Sequence, residues 1–569
     1  MMQNNNIKLK FKLSATINNT KKSIILLLPR VLFSLSFLSL SFLSSCAQHN
    51  KPYKNANTLY IDIANEPSSL DPALAEDWYS YRVVNDLFAG LIDFDTKNHP
   101  ILGMASKLEI LNNGRTYKFY LKNNLRFSDG SKITADDFVY SWRRLLDPKT
   151  ASSYSFLLDE IVNAKLIRQG KLPKESLGVI ASKTNNSITN NVLLVNLNSP
   201  SNKFLNYLTS PNTFVVSQNN IKQYGDKWTN PKFMVTSGAY ILKERVNNSY
   251  ILTQKNPYFY EQNDVKINFV KYFPYVDSNT SIANYRTNAL DMTGQMVPVN
   301  QYLSLKSEYK DAMHTAPWER IEFLNFNMRL EKYKNLKLRK ALSLAIDRDI
   351  ITNKVLFANQ KPLYSIISST IEDGKYKNIE YDFKNLSQIK RQELAKQLYQ
   401  EAGYSSTNPL TIVLKYKTSD MYKKISTVIA AMWSYNLGVH VVLQNQEWKT
   451  LVSELHSGNY DIAFGGWGAD YNLVDTYTDL FLCDNGNNNT HYCNLKYDAL
   501  IMQAKNNNNI PNQHALYTEA IQLMLNDYSI IPLFQPTHQR LITKRVKNYD
   551  MEVNYLDNVQ SKWMYLSEK

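Results

Sequence analysis

Leu121-Lys-Asn-Asn-Leu-Arg-Phe-Ser-Asp-Gly-Ser-Lys-Ile-Thr-Ala-Asp-Asp-Phe-Val-Tyr-Ser-Trp-Arg-Arg144 packs the end of a strand, a tight turn and most of a helix into one short stretch. The alternation Tyr117-Lys-Phe-Tyr-Leu121 leads in as a strand. Ser128-Asp-Gly130 has the small, polar residues of a tight turn, and Asp136 to Leu146 reads as a helix stopped by Asp147-Pro148. Asp136 and Asp137 are adjacent carboxylates, but neighbours on a helix point about 100° apart and cannot share a proton. They are better placed to complement the positive end of the helix dipole.

The same mixture extends outward in both directions. Thr58-Leu-Tyr-Ile-Asp-Ile-Ala64 alternates as a first strand after the polar tether Asn50–Asn57. Ser387 is placed to cap a helix whose apolar residues Leu394, Leu398 and Ala402 share one face, with Gly403 as the stop. No internal repeat or long low-complexity linker interrupts the alternation. The chain of 569 residues is too long for one ordinary core. Strands and helices alternating without linkers favour lobes built from discontinuous segments, as a hinged cleft requires.

Composition is that of a soluble globular chain, 44% hydrophobic and 20% charged. Tyrosine is abundant, 38 residues against 8 Trp and 23 Phe. A broad apolar face with a hydrogen-bonding tip suits a wet, unselective cleft, although the same excess fits a drift shared with the Asn and Lys runs. Net charge is +15. Part of it comes from Lys8, Lys10, Lys12, Lys21, Lys22 and Arg30, in a leader without acidic residues. No Arg/Lys run with interleaved aromatics forms a nucleic-acid motif, so the remaining charge reads as solvated surface.

The leader is basic and then apolar from Val31 to Ser45, the length of a secretory segment and too short to span a bilayer comfortably. It ends in Leu43-Ser44-Ser45-Cys46, which resembles the lipobox of bacterial lipoproteins. The resemblance implies that Cys46 carries a lipid and, with more than one acyl chain, a durable anchor. Ala47 rather than Asp follows the cysteine. By analogy that residue permits sorting to the inner face of an outer membrane in an organism that has one. Cys483 and Cys493 stand ten residues apart in a Gly/Asn-rich stretch, in a compartment where disulfides persist. A local disulfide, contributing about 2–3 kcal/mol in the chain-entropy model, is the favoured reading. Metal binding through His491 is the rival, short of ligands for a closed zinc site.

No Gly-x-Ser-x-Gly elbow, His-Glu-x-x-His helix or phosphate-cradling loop occurs. The 8 histidines are mostly isolated. No catalytic residue, metal or cofactor is implied, and an enzyme is not expected. What stands out is a set of dense local signatures: Glu66-Pro-Ser-Ser-Leu-Asp-Pro72, the 121–144 stretch, Thr236-Ser-Gly-Ala-Tyr240, Asn256-Pro-Tyr-Phe-Tyr260, Tyr285-Arg-Thr-Asn-Ala-Leu-Asp-Met292, Arg339 to Asp349, Asn445-Gln-Glu-Trp-Lys-Thr450 and Gly466-Trp-Gly-Ala-Asp-Tyr-Asn472. Together, in order along the mature chain, they resemble the bacterial oligopeptide-binding branch of the extracellular solute-binding proteins, family 5.

The resemblance implies an α/β, periplasmic-binding-protein-like (Venus flytrap) fold. Residues 1–45 would be the signal peptide and 46–57 a tether. Residues 58–89, 219–318 and 540–569 would form lobe I, 90–218 an inserted lobe II, and 319–539 lobe III. It also implies site residues. Asp470 would hold a peptide's ammonium, although the residue by itself also reads as a turn residue. Glu76-Asp77-Trp78 and Gly466-Trp467-Gly468 would pair with the peptide backbone. Trp448, Trp467 and Tyr154 would line side-chain pockets, or simply pack in a core. Phe464, Leu455 and Tyr422 stand where some relatives carry basic residues or histidine that meet carboxylates. Glu319 and Gly468 stand where relatives form a disulfide; the Cys483–Cys493 pair resembles the dipeptide-binding branch instead.

The implied function is capture of short peptides for the permease of an ABC transporter by a lipid-anchored monomer at the cell envelope, with no nucleic-acid partner. Dipeptides, murein peptides, haem or nickel are alternative ligands on the same framework. A lipid-anchored hydrolase and a non-transport surface interaction protein are the alternatives of other classes.

Overall fold

A computed structural model of the chain describes residues 55–567, apart from 185–189, 202, 295, 508 and 550–553. The leader and Cys46 lie outside the described residues. The strand Thr58–Asp62 pairs in parallel with Phe269–Phe273, and Tyr250–Lys255 and Tyr240–Val246 complete a four-stranded sheet. A second sheet of four strands orders Ala105–Leu111, Thr116–Leu121, Val192–Asn196 and Val179–Ser182, all antiparallel. The helix Ala135–Leu146 follows the 128–130 turn and begins at a capping box, in which the Thr134 N–H donates to the Asp137 carboxylate at 2.9 Å. Trp142 is buried beneath it, and its indole N–H donates to the Thr213 carbonyl at 2.9 Å.

The third sheet positions the site. Its six strands run in the order Lys361–Pro362, Ile530–Gln535, Arg320–Phe326, Ile462–Gly468, Thr411–Lys417 and His440–Gln446. The last three run parallel to one another, and parallel neighbours need crossovers. The helices Asp420–Leu437 and Trp448–Ser457 supply them.

Two large apolar clusters result. One gathers Leu59, Phe119, Trp142 and Val270; the other gathers Leu324, Trp433, Ile462 and Ile531. The chain passes from the first region to the second through Met313–Pro317 and returns through Thr537–Leu541. These two strands pair antiparallel, Met313 opposite Leu541 and Pro317 opposite Thr537. The mixed α/β class expected from the sequence is the class observed.

The helix Gln388–Glu401 is capped by Ser387 as expected and packs Leu394, Leu398 and Ala402 against the second cluster, while the most buried row beside them is Arg391, Ala395 and Tyr399. Arg391 goes inside because its guanidinium donates to the Lys384 and Leu386 carbonyls and lies over the Tyr364 ring, so the charge is solvated by protein. Much of the tyrosine excess is core, Tyr240, Tyr272, Tyr477 and Tyr517 among it.

Cys483 and Cys493 are joined in a disulfide. The stapled loop lies against the 150–170 region. Arg168 and Lys165 reach Asp484 at 3.0 and 3.3 Å, and Asn487 donates to the Ser153 carbonyl. A Cβ on Gly486 would lie 2.8 Å from the Ser153 backbone, so the approach needs glycine. Replacing both cysteines by serine is expected to cost about 2–3 kcal/mol, measured as a lower urea midpoint for the variant than for the oxidised protein. An unchanged midpoint would show that the loop is held by its contacts alone.

Candidate ligand-binding cleft

Between the two regions lies a cavity of about 270 Å³ measured at the centres of water molecules. One water needs only about 10–15 Å³ on that measure, so the space suits a ligand of many atoms. All nine residues expected at a peptide site line it: Glu76, Asp77, Trp78, Tyr154, Trp448, Gly466, Trp467, Gly468 and Asp470.

The strand Ile462–Gly468 forms one wall. One edge is paired along its whole length with Arg320–Phe326, from Phe326 opposite Ile462 to Arg320 opposite Gly468. The other edge pairs with Thr411–Lys417 only at Leu414–Ile462 and Lys415–Ala463. Beyond Ala463 the two strands part. From Phe464 to Gly468 that edge therefore faces the cavity with no strand beside it among the described residues. Such an edge is a template for another strand. A Cβ on Gly466 would lie 2.8 Å from Glu322 Oε2; glycine there lets the Arg320–Glu322 ion pair, 2.6 Å long, lie across the strand.

Asp470 follows directly. Its N–H donates to Thr476 Oγ1 at 3.1 Å, while its carboxylate has no hydrogen bond or ion pair among the described residues. Removal from water, with nothing to offset it, pushes this carboxyl up to about 7. The Tyr154 phenol is pushed up by burial and then by the field of Asp470. Its ring stacks on Trp467 at 6.0 Å, and Tyr81 packs edge-on against it.

Glu76-Asp77-Trp78 enters the helix Trp78–Leu87 rather than a strand. The Asp77 carboxylate accepts from the Ser80 N–H at 2.7 Å and the Ser68 N–H at 3.2 Å, so its side chain caps the helix and does not point free into the cavity. Glu76 accepts from Ser153 Oγ at 2.8 Å and lies 3.5 Å from His456 Nε2. Trp78 donates its indole N–H to the Asp557 carbonyl and lies under Arg540.

At the other end, Trp448 meets Tyr79 edge-on, and its indole N–H is buried without a partner. Lys417 reaches the Tyr79 hydroxyl at 2.9 Å and lies over the Tyr422 ring. Phe464, Leu455 and Tyr422 all line the cavity and bring no cation to it. Glu319 accepts from Thr370 Oγ1 at 2.7 Å and from the Tyr477 hydroxyl at 3.2 Å, and its carbonyl accepts from the Ala469 N–H at 2.7 Å. Hydrogen bonds thus tie the turn before Asp470 to this position.

Arg320, Glu322, Lys417, Tyr79 and Tyr81 were not anticipated from sequence. Lys417 had a usable signal, since it closes a strand at its carboxyl end, where α/β sheets place ligands.

The sequence profile of the bacterial extracellular solute-binding proteins, family 5, matches residues 69–489. The chain belongs to that family. It is 36% identical over 511 residues to the periplasmic oligopeptide-binding protein OppA of Salmonella typhimurium, covering 90% of this chain and 92% of that protein. The structure of Haemophilus influenzae OppA in complex with RPPGFSPFR superposes with a TM-score of 0.86 at 30% identity, over 90% of this chain and 99% of that one. The Escherichia coli murein tripeptide binding protein MppA gives 0.86 at 32% identity, over 90% and 99% of the two chains. Its unliganded open form gives 0.62, over 90% and 97%. The lobes here therefore stand away from that open arrangement. No helix among the described residues is long and apolar enough to cross a membrane, and no group of three or more His, Cys, Asp or Glu among them could hold a metal ion.

The Asp470 environment has a measurable consequence without ligand. A carboxyl raised from 3.8 to about 7 binds more protons folded than unfolded between those values, so stability is undiminished by it below about pH 4 and falls as pH rises toward 7. The melting temperature of ligand-free Asp470→Asn minus that of wild type is expected to be near zero at pH 4 and to grow up to pH 7. Other buried acids cancel in that difference. A flat difference would mean that Asp470 is hydrated or paired in solution.

Proposed function

We propose that the chain is the receptor of a peptide ABC transporter: it closes on a short peptide and delivers it to the permease without chemical change. The observation that carries this reading is the free strand edge Phe464–Gly468 ending at an uncompensated carboxylate. Backbone pairing along that edge reads what all peptides share, and the roomy cavity tolerates side chains through water. Asp470 takes the peptide's ammonium, which replaces the solvation the carboxylate lost. Trp467, Tyr154 and Trp448 bound the side-chain pockets, and the backbone at Glu76–Trp78 faces the peptide from the opposite wall. The oligopeptide-binding OppA relatives, one of them in complex with RPPGFSPFR, and the murein tripeptide binding protein MppA support the same class of ligand. Ligand binding favours the closed arrangement, which the permease recognises.

In the same reading the protein is exported and held to the membrane by lipid on Cys46, at the inner face of the outer membrane in a Gram-negative cell. It acts there as a monomer in three lobes: 58–89, 219–318 and 540–569; 90–218; and 319–539.

Calorimetry with trialanine tests the anchor. N-acetylation of the peptide and the Asp470→Asn substitution are each expected to weaken binding about 10- to 100-fold, and the two together no further than either alone. Additive losses would place the ammonium elsewhere. For the lipid, Cys46→Ser is expected to abolish incorporation of an alkyne-tagged fatty acid and to release the protein into the soluble envelope fraction. Retained label would move the modification to another residue.

A further inference from the structure

We infer that Lys417 and the indole N–H of Trp448 form an anion subsite that takes the ligand's terminal carboxylate and so selects peptides of about three residues. The inference rests on the peptide reading above and adds a ruler to it.

The basic side chains Arg82, Arg320, Lys417 and His456 line the cavity. Arg82 is paired with Asp86 at 3.0 Å and Arg320 with Glu322 at 2.6 Å, while His456 lies 3.5 Å from Glu76. Lys417 has no carboxylate oxygen within 4 Å among the described residues. Its neighbours are the Tyr79 hydroxyl and the faces of Tyr422 and Trp448, at 4.5 and 5.5 Å from Nζ. Burial opposes its charge, but the Tyr422 and Tyr79 hydroxyls and the more distant Glu322 outweigh that and keep it protonated. Beside it, the indole N–H of Trp448 is a buried donor that no group among the described residues accepts. A cation without a counter-ion next to an orphan donor is the complement of a carboxylate.

The lining carboxylates give the opposite picture. Asp62 accepts from the Ala64 and Gly294 N–H groups, Asp77 caps a helix, and Asp557 is bound by Arg540. Asp420 is exposed and accepts from Asn279 Nδ2 at 3.4 Å. Asp470 is left as the half-buried carboxylate without a hydrogen bond or ion pair among the described residues. Of the groups drawn away from solvent, one anion and one cation are therefore unmatched in the cavity, which is the charge pattern a zwitterion fits.

Their separation follows from register. Lys417 is two residues past Lys415, which pairs with Ala463, so it stands abreast of Gly465 at the base of the fork. Asp470 is five residues farther along, the last two of them past the end of the strand at Gly468. At about 3.3 Å per residue the two levels lie at most roughly 16 Å apart. An extended peptide of three residues covers about 10 Å, and a charge-assisted contact of about 2.8 Å at each end fills the remainder. Longer peptides must carry their carboxylate past Lys417.

Calorimetric titration of alanine peptides of three and six residues, each as free acid and as carboxyl-terminal amide, tests this on wild type and Lys417→Met. For wild type, amidation is expected to weaken the three-residue peptide about 10- to 100-fold and the six-residue peptide less than threefold. Lys417→Met is expected to bind acid and amide alike at every length. If wild type binds acids and amides equally, or if the variant still discriminates, Lys417 is not the carboxylate site although peptide binding stands. Equal discrimination at six residues would overturn the ruler. Binding of no peptide in either form would overturn the peptide reading and this inference together.

Discussion

A strand held on one edge only is the constraint from which the rest of the cleft follows. Backbone N–H and C=O groups carry an obligatory demand for partners, and the segment Phe464–Gly468 meets it on the Arg320–Phe326 side alone. The edge stays open because Thr411–Lys417 turns away after Lys415, still paired with His440–Gln446 through Lys417 opposite Gln446. Two parallel strands that begin together and then diverge leave a wedge between them. The helix that Asp77 caps lines the same cavity with Tyr79, Tyr81 and Arg82.

The approach of the two regions is maintained by polar groups taken out of water together. Tyr207 donates to Asp475, and Lys203 lies 3.5 Å from the same carboxylate while donating to the Tyr517 hydroxyl at 2.8 Å. Lys505 pairs with Asp479. Burial nevertheless pushes Glu160 to about 7 and Asp479 to about 6. A seam of this kind is specific rather than strongly cohesive, since desolvation offsets much of the Coulomb gain. The open form of the MppA relative, at a TM-score of 0.62 against 0.86 for its other structure, has a different overall arrangement from the one this seam holds.

Glu319 illustrates how one position is served by different chemistry. Its carboxylate gathers Thr370 and Tyr477, and its carbonyl holds Ala469 beside Asp470. Position is thus enforced by a buried hydrogen-bond network instead of a covalent tie at Gly468, while the chain's own disulfide staples the 483–493 loop against Ser153.

Local order was legible in the residues themselves. The alternation at Thr58–Ala64, the capped helix after the Ser128–Gly130 turn and the short Cys483–Cys493 spacing each depend on neighbours in sequence, so period, cap and loop length sufficed. The motif around Asp470 was legible as a resemblance. What the sequence could not contain was the company each side chain keeps. Whether a carboxylate is matched, as Asp77 is by the Ser80 and Ser68 amides, or unmatched, as Asp470 is, depends on burial and on partners far along the chain. The buried face of the Gln388–Glu401 helix went to Arg391 because Tyr364 and the Lys384 carbonyl lay waiting for it. Lys417 became the uncompensated cation only when the sheet carried it to the base of the fork. Sequence periodicity determines which elements form; tertiary packing decides which charges remain without a partner, because desolvation and pairing act through space rather than along the chain.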